Sequence, residues 1–363
     1  MESAGAVPAA VLLDLDAVRC DVEAVLTDFF RAKERAAREA GLSGAPVRVL
    51  ADFVGAGGKR LRPLLCAAGW CAAAGGEAVP PEAVLKVAAA LEMFHAFALV
   101  HDDVMDGSPA RRGRPSVHRT LAGLHPGPGP LAAEFGRAAA VLIGDMAFAF
   151  SDELVHTAGL SPQELARVLP LLGAMRIETM HGQWLDLLTT GRPSGDVETA
   201  RTVIAHKTAK YTVERPLHIG AALAGPASAV QAACSAYALP LGEAFQLRDD
   251  LLGVFGTARA TGKDPLDDLR EGKNTVLLAT ARQRADPAQR SVLRALVGKR
   301  DLTEPEAARI RTVIEATGAR ADVERMIARL RRDALRALAE ASFPAAAAGA
   351  LHDLAHAVVA RTG

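Results

Sequence analysis

The sequence predicts an all-α fold, and three observations carry that reading. Strand patterns, in which apolar and polar residues alternate, are almost absent along the 363 residues. Ala, Leu, Glu and Arg, which favour helix, dominate throughout. Half of the residues are hydrophobic (50%), enough for a large core. Length alone allows one large domain or two, but no domain linker and no internal repeat beyond a doubled acidic motif is visible, so the expectation is a single domain over 1–363.

From Leu12 to Ala40 apolar positions recur at helical intervals among charged ones, giving an amphipathic helix that ends near Gly41. Gly55 to Pro63, GAGGKRLRP, then breaks the pattern. Its glycines let the backbone approach a ligand, while Lys59 and Arg62 can reach oxyanions from the start of the next helix. It lacks the GxxxxGK[ST] arrangement of a P-loop, and taken alone could equally be a basic surface loop.

Pro80 and Pro81 open a helix that carries His95 and ends in LVHDDVMD, with Asp102, Asp103 and Asp106. Positions i and i+4 share a helix face, so Asp102 and Asp106 project side by side. Such a pair repels unless a cation neutralises it, and hard oxygen ligands without a Cys or His pattern favour Mg²⁺ over zinc. His95, seven residues before Asp102, lies on nearly the same face. Gly107 to Arg119 reads as a loop holding Arg111 and Arg112, and a Gly/Pro stretch, Gly123 to Pro130, leads to a helix in which Gly144 and Asp145 mark close packing.

Ala174 to Leu187 sets Gln183 and Asp186 on a helical pattern, either as cavity lining or as structural hydrogen-bonding groups. A turn-rich run, Thr189 to Val197, precedes Lys207 and Thr208. Phe245 to Gly253, FQLRDDLLG, repeats the acidic motif with Asp249 and Asp250 next to Gln246. Two acidic turns on separate helices, with Lys and Arg around them, describe a diphosphate site, because Mg²⁺ completes its octahedron with phosphate oxygens. Lys263 and Lys273 follow in Gly-flanked loops, and beyond Asn274 the chain is helical with charged faces, its Ala-rich end from Ala345 to Ala360 carrying no catalytic cluster.

Lys plus Arg equals Asp plus Glu at 42 each, so no general basic field recommends nucleic acid or an anionic membrane as partner. The four cysteines, Cys20, Cys66, Cys71 and Cys234, have no metal or redox spacing and read as small buried hydrophobes in a reducing compartment. The N-terminus lacks a basic n-region, and no stretch of about 18 apolar residues runs uninterrupted, so no signal peptide and no membrane span are expected and the cytoplasm is the default.

The motifs GGKRLRP, LVHDDVMD, RRGRPSVH, HGQWLDL, HKTAKYT and FQLRDDLLGVFG with TGKDPLDDLREGKNT, in this order, resemble the trans-prenyl diphosphate synthases. The resemblance implies a single large helical bundle around a central cavity, of the isoprenoid synthase type, and commonly a homodimer. It implies isopentenyl diphosphate on Lys59, Arg62, His95 and Arg112. An allylic partner (dimethylallyl, geranyl or farnesyl diphosphate) would lie against Arg111, Lys207, Thr208, Gln246, Lys263 and Lys273. Three Mg²⁺ per active site would be held by Asp102, Asp106 and Asp249, with Asp103 and Asp250 beside them. One departure stands out. The position four after Asp249 is Gly253, so the second motif reads DDxxG; Asp267, four beyond Lys263, is then the residue expected to hold metal-bound water, and a carboxylate restored at 253 is expected to be neutral or mildly beneficial.

The resemblance further implies that chain length is set five and four residues before the first Asp, at Phe97 and Ala98. One aromatic with a small neighbour and a plain DDxxD resembles the geranylgeranyl-producing type, although Phe94, a turn further down, could be the true stop and either Phe could simply be core. The expected activity is head-to-tail condensation giving a C20 product. The alternatives are a farnesyl or longer-chain synthase, a class I terpene cyclase on the same fold, and a non-catalytic partner subunit.

Overall fold

The computed structural model describes residues 12–75, 78–191, 194–257 and 266–359. Helix α1 (Leu15–Glu39) begins where Asp14 caps it, its carboxylate accepting from the backbone N–H of Asp16 and Ala17, and it buries Val18, Val22, Leu26 and Phe30 at four-residue spacing. After α2 (Ala45–Gly55), helix α3 (Leu61–Ala73) is buried from Leu61 through Ala72, with no polar face to solvent. Helix α4 (Glu82–Asp106) stops at Gly107, which adopts the left-handed conformation glycine accepts without strain. This is the one helix among the described residues long and apolar enough to cross a membrane, but it is packed within the bundle, against α1, α3 and the long α6 (Gly129–His156).

Between α4 and α5 (Val117–Ala122) lies a two-stranded hairpin, β1 (Ala110–Arg111) and β2 (Arg114–Pro115), with Arg111 opposite Arg114. Helix α7 (Pro162–Thr189) opens with a reciprocal capping box between Ser161 and Glu164 and Pro162 in its first turn. Then come α8 (Val197–Val203), a π-helical stretch Ile204–Glu214, α9 (Arg215–Ala224) and α10 (Ser228–Phe255). Helices α11 (Asp267–Glu271), α12 (Val276–Arg284), α13 (Pro287–Leu296), α14 (Glu304–Ala316), α15 (Ala319–Glu340) and α16 (Ala345–Val359) complete the fold.

The architecture is all-α. Fully buried α3 packs on α9 and α4, α10 packs on α15 and on the π-helical stretch, and α7 closes against that stretch from the other side. The ends of α4, α7 and α10 thereby surround one cavity of about 940 Å³. Cys66, Cys71 and Cys234 are buried as expected, and burial pushes the Cys66 and Cys234 thiols up to about 12. Cys20 is exposed, so it is not the core residue the sequence suggested.

Candidate active site

The carboxylates ending α4 are neutralised by cations from three other segments. The Arg111 guanidinium donates to both oxygens of Asp103, at 2.8 and 2.9 Å through Nε, and to Asp102 at 3.1 Å. Asp103 is wholly buried, so a charge-assisted fork is what holds it there. Asp102 also accepts from Lys207 at 3.1 Å, and Asp106 lies 3.1 Å from the Lys273 ammonium. Arg111 reaches back to α4 because the hairpin folds it there. Arg112 and Gly113 both have positive φ, 53° and 73°, which is the two-residue turn that matches strand twist. The turn sends Arg112 the other way, to donate to the Gly57 carbonyl of the GGKRLRP loop. The two arginines thus diverge through a left-handed turn.

Lys207 lies in the π-helical stretch and is set by α7. A Cβ on Gly182 would come within 2.5 Å of the Lys207 backbone nitrogen, so only glycine lets the two segments approach this closely. One turn on, Asp186 accepts from Lys207 at 2.7 Å. Burial works against the Lys207 charge, but Asp102 and Asp186 raise its pKa. Asp186 thus acts as the hydrogen-bonding group that holds Lys207, whereas Gln183 lines the cavity itself. Thr208 donates to Gln246 at 2.8 Å, and Gln246 donates to Asp250 at 2.8 Å. Burial pushes the Asp250 carboxyl up to about 7, helped by Asp268 and Asp249 and opposed by the Gln246 hydrogen bond.

Lys273 joins the first acidic motif to the carboxylates of α11. It faces Asp106 at 3.1 Å, Glu271 at 3.0 Å and Asp268 at 3.8 Å. Burial opposes its charge, yet Asp106, Asp268, Asp102 and Glu271 raise its pKa well above the usual lysine value. Beside it, a Cβ on Gly253 would come within 1.9 Å of Asp268 Oδ2. The space next to residue 253, where a restored carboxylate would go, is thus taken by a carboxylate from α11. Asp268 lines the cavity, whereas Asp267, expected to hold metal-bound water, is buried and lies 3.5 Å from Arg270; an Asp at 253 would have to displace the Asp268 carboxylate. Lys263 lies outside the described residues.

On the opposite side, Lys59 is exposed and donates to the Ala357 carbonyl at 3.3 Å. Arg62 is buried, donates to Thr212 at 2.6 Å and stacks over the Tyr211 ring at 4.1 Å. His95 meets the Tyr211 hydroxyl at 2.9 Å. Burial, then Arg62, Arg112 and Arg111, drive the His95 pKa well below the ordinary value, so the ring is neutral. Sequence reasoning missed Arg60. It adopts a left-handed backbone (φ 48°), turns inward, and pairs with Glu92 at 2.7 Å while donating to the Val54 carbonyl at 2.8 Å. The signal was Glu92, a lone carboxylate inside the apolar run AALEMFHAF.

Below the polar end, Phe97 and Ala98 line the cavity. Phe94 does not reach it. It is fully buried and stacks beneath Phe97 at 5.2 Å, with Phe148 of α6 edge-on to both, at 5.2 Å from Phe97 and 5.9 Å from Phe94. Phe148 also went unread in the sequence.

Among the described residues, no three His, Cys, Asp or Glu side chains converge into a ready-made metal cage. The donor set is nevertheless that of a magnesium site: hard carboxylate oxygens on separate walls, among them Asp106, whose Oδ2 lies 3.1 Å from the Lys273 ammonium. Mg²⁺ binds through one or two carboxylates plus substrate phosphates and seldom through an all-protein cage, so the residues fit it.

The model of the polyprenyl synthetase family matches residues 47–315, a span that includes every residue lining the cavity. A geranylfarnesyl diphosphate synthase from Aeropyrum pernix is 32% identical over 281 residues, covering 77% of this chain and 80% of the relative. A (2E,6E)-farnesyl diphosphate synthase from Mycobacterium bovis is 31% identical over 307 residues, covering 84% and 80%. Among solved structures, a geranylgeranyl pyrophosphate synthase from Corynebacterium glutamicum, in complex with isoprenyl diphosphate and magnesium, superposes with a TM-score of 0.91 at 41% identity, covering 96% of this chain and 100% of that one. The chain belongs to the polyprenyl synthetase family and is a prenyl diphosphate synthase, a prenyltransferase.

Proposed function

We propose that the enzyme joins isopentenyl diphosphate head to tail with allylic diphosphates and stops at geranylgeranyl diphosphate. The observation that carries the chain length is the cavity wall below Asp102, where Phe97 projects beside the small Ala98 and is backed by Phe94 and Phe148. The named relatives run from farnesyl to geranylfarnesyl synthases, so the support for this chain length comes from the wall and not from the family.

In this reading Asp102, Asp106 and Asp249 hold Mg²⁺, which supplies positive charge to the leaving diphosphate. Arg111, Lys207 and Lys273 add fixed charge where the allylic C1–O bond breaks, with Thr208, Gln246 and Lys263 on the same substrate. Asp103 fixes Arg111 and Asp250 fixes Gln246. Lys59, Arg62, His95 and Arg112 hold isopentenyl diphosphate so that its C4 attacks the allylic C1. The proton then lost from C2 goes to the released diphosphate. The apolar walls exclude water, which would otherwise capture the cation. A terpene cyclase would have no use for the second cation set, and a non-catalytic subunit none for the acidic motifs; both sets line this one cavity.

We further propose one catalytic domain, a cytoplasmic enzyme, and a homodimer. The support for the dimer is an apolar stripe, exposed on α6 at Leu131, Phe135 and Leu142 and on α7 at Ile177, Met180, Trp184 and Leu188. The test is mass spectrometry of products made with Mg²⁺ and dimethylallyl, geranyl or farnesyl diphosphate as separate primers. A C20 end product from each supports the reading; accumulation of C15 or of longer chains overturns the chain length. Asp102→Ala and Asp249→Ala should each lower diphosphate release about a hundredfold or more. Near-normal release from Asp102→Ala would remove the metal assignment.

A further inference from the structure

A second cleft, of about 200 Å³, lies away from the reaction cavity and is lined by Gly195, Arg282, Arg290 and Arg294. Arg282 comes from the end of α12, Arg290 and Arg294 from successive turns of α13, and Gly195 from the segment before α8. None of the lining residues is a carboxylate. That is unusual in a chain whose 42 basic and 42 acidic residues balance and whose neighbouring arginines are paired: Arg284 with Asp322, Arg311 with Glu304, and Arg320 with Glu315. Among the described residues Arg290 and Arg294 make no ion pair. Arg290 is held instead by donating Nε to the Ala285 carbonyl at 2.8 Å, and Arg282 reaches the Leu293 carbonyl at 3.4 Å. Burial and the charge of Arg294 push the Arg282 pKa down, so like charges gather in this cleft.

Helix geometry fixes this repulsive arrangement, and a multivalent oxyanion relieves it, since guanidinium forks match phosphate oxygens in pairs. The volume sets the size of the guest. At 200 Å³ against 940 Å³ for the reaction cavity, it admits a phosphate or diphosphate group but no prenyl chain. With no carboxylate to share a metal, the guest binds without Mg²⁺. We infer that the Arg282–Arg290–Arg294 cleft is a second, metal-independent site for phosphate oxyanions, and that inorganic diphosphate, the enzyme's own product, is its natural guest.

The cleft is also tied to the reaction cavity. Gln283, next to Arg282, donates to the Gly195 carbonyl at 2.6 Å, and Gly191, four residues before Gly195, donates to the carbonyl of Gly272, which precedes Lys273. An anion that draws α12 and α13 together acts on the backbone that positions Lys273.

The test is isothermal titration calorimetry of the full chain with inorganic diphosphate and, separately, inorganic phosphate, in EDTA, on wild type, Arg290→Ala/Arg294→Ala and Lys207→Ala/Lys273→Ala. Both arginines are exposed, so their variant should fold, with circular dichroism as the check. Metal-free diphosphate binding should persist in the lysine variant and weaken about tenfold or more in the arginine variant, as loss of charged hydrogen bonds requires. Phosphate binding at the same site with the same sensitivity would make any phosphate group a guest; binding of diphosphate alone would make the product the guest. No metal-free binding in wild type, equal binding in the arginine variant, or loss of all binding in the lysine variant would overturn the proposal.

Discussion

At the scale of single residues, the departure of this chain from a doubled DDxxD is a matter of space as well as charge. Asp268 Oδ2 lies where a side chain at 253 would begin, so the two positions form one unit. Gly253→Ala should push Asp268 aside and lower turnover much as Asp268→Ala does, and the double variant should be no worse than either single one, because neighbours that share one interaction are not additive. Steady-state diphosphate release on the three proteins checks this; fully additive losses would mean that Asp268 does not owe its place to Gly253. His95 and Arg112 give a second test. The neutral His95 ring rests on Tyr211, and Arg112 is anchored to Gly57, both on the side opposite Lys207 and Lys273. His95→Ala and Arg112→Ala should raise the apparent KM for isopentenyl diphosphate more than that for the allylic substrate, and equal increases would mean the two subsites are misassigned. Arg60, by contrast, is held by Glu92 and the Val54 carbonyl.

At the scale of elements, the floor of the cavity belongs to α4 but is propped by α6. Each isoprene unit needs roughly one helical turn of depth, 5 Å along the axis. Phe97 projects into that depth, while Phe94 and Phe148 pack behind it and keep its ring from swinging away. Ala98→Phe should therefore shift product toward farnesyl diphosphate and Phe97→Ala toward longer chains, read by chromatography of the dephosphorylated alcohols; if both variants keep the wild-type distribution, the floor lies elsewhere. What the sequence revealed at this scale was the local part. The paired aspartates of α4 followed from helical spacing, and Phe97 and Ala98 from the family resemblance, whereas Phe148 comes from a helix some fifty residues on, where no periodicity marks it as a partner. The π-helical register that turns Lys207 and Thr208 to different neighbours was equally hidden, since the apolar spacing of Ile204–Glu214 reads as ordinary helix.

At the scale of the whole molecule, the all-α fold and the meeting of the motifs in one cavity were legible, because helix formers and charged clusters leave local traces. What failed to show was contact between distant segments: Asp268 against Gly253, Arg60 against Glu92, and Asp186 as the partner of Lys207. One feature of the exterior joins the same scale. Val141 and Leu142 on α6 and Ile177, Met180, Trp184 and Leu188 on α7 are all at least 40% exposed, and the α7 residues recur at three- and four-residue steps, so those of α7 form one apolar face of that helix. Met105, Met180, Trp184 and Leu187 also line the reaction cavity, so the face borders the mouth through which water would reach an allylic cation. A second copy laid on this face would cover the apolar stripe and the mouth together. Leu142→Asp and Ile177→Asp sit outside the cavity and lose little as folded monomers, because both side chains are already in solvent, at 67% and 59% exposure. Each should shift the sedimentation coefficient from dimer to monomer and, through the uncovered mouth, raise the share of prenyl alcohol released by hydrolysis relative to elongated diphosphate. A wild-type protein that sediments as a monomer, or Asp variants that remain dimeric, would show that the stripe serves no self-association.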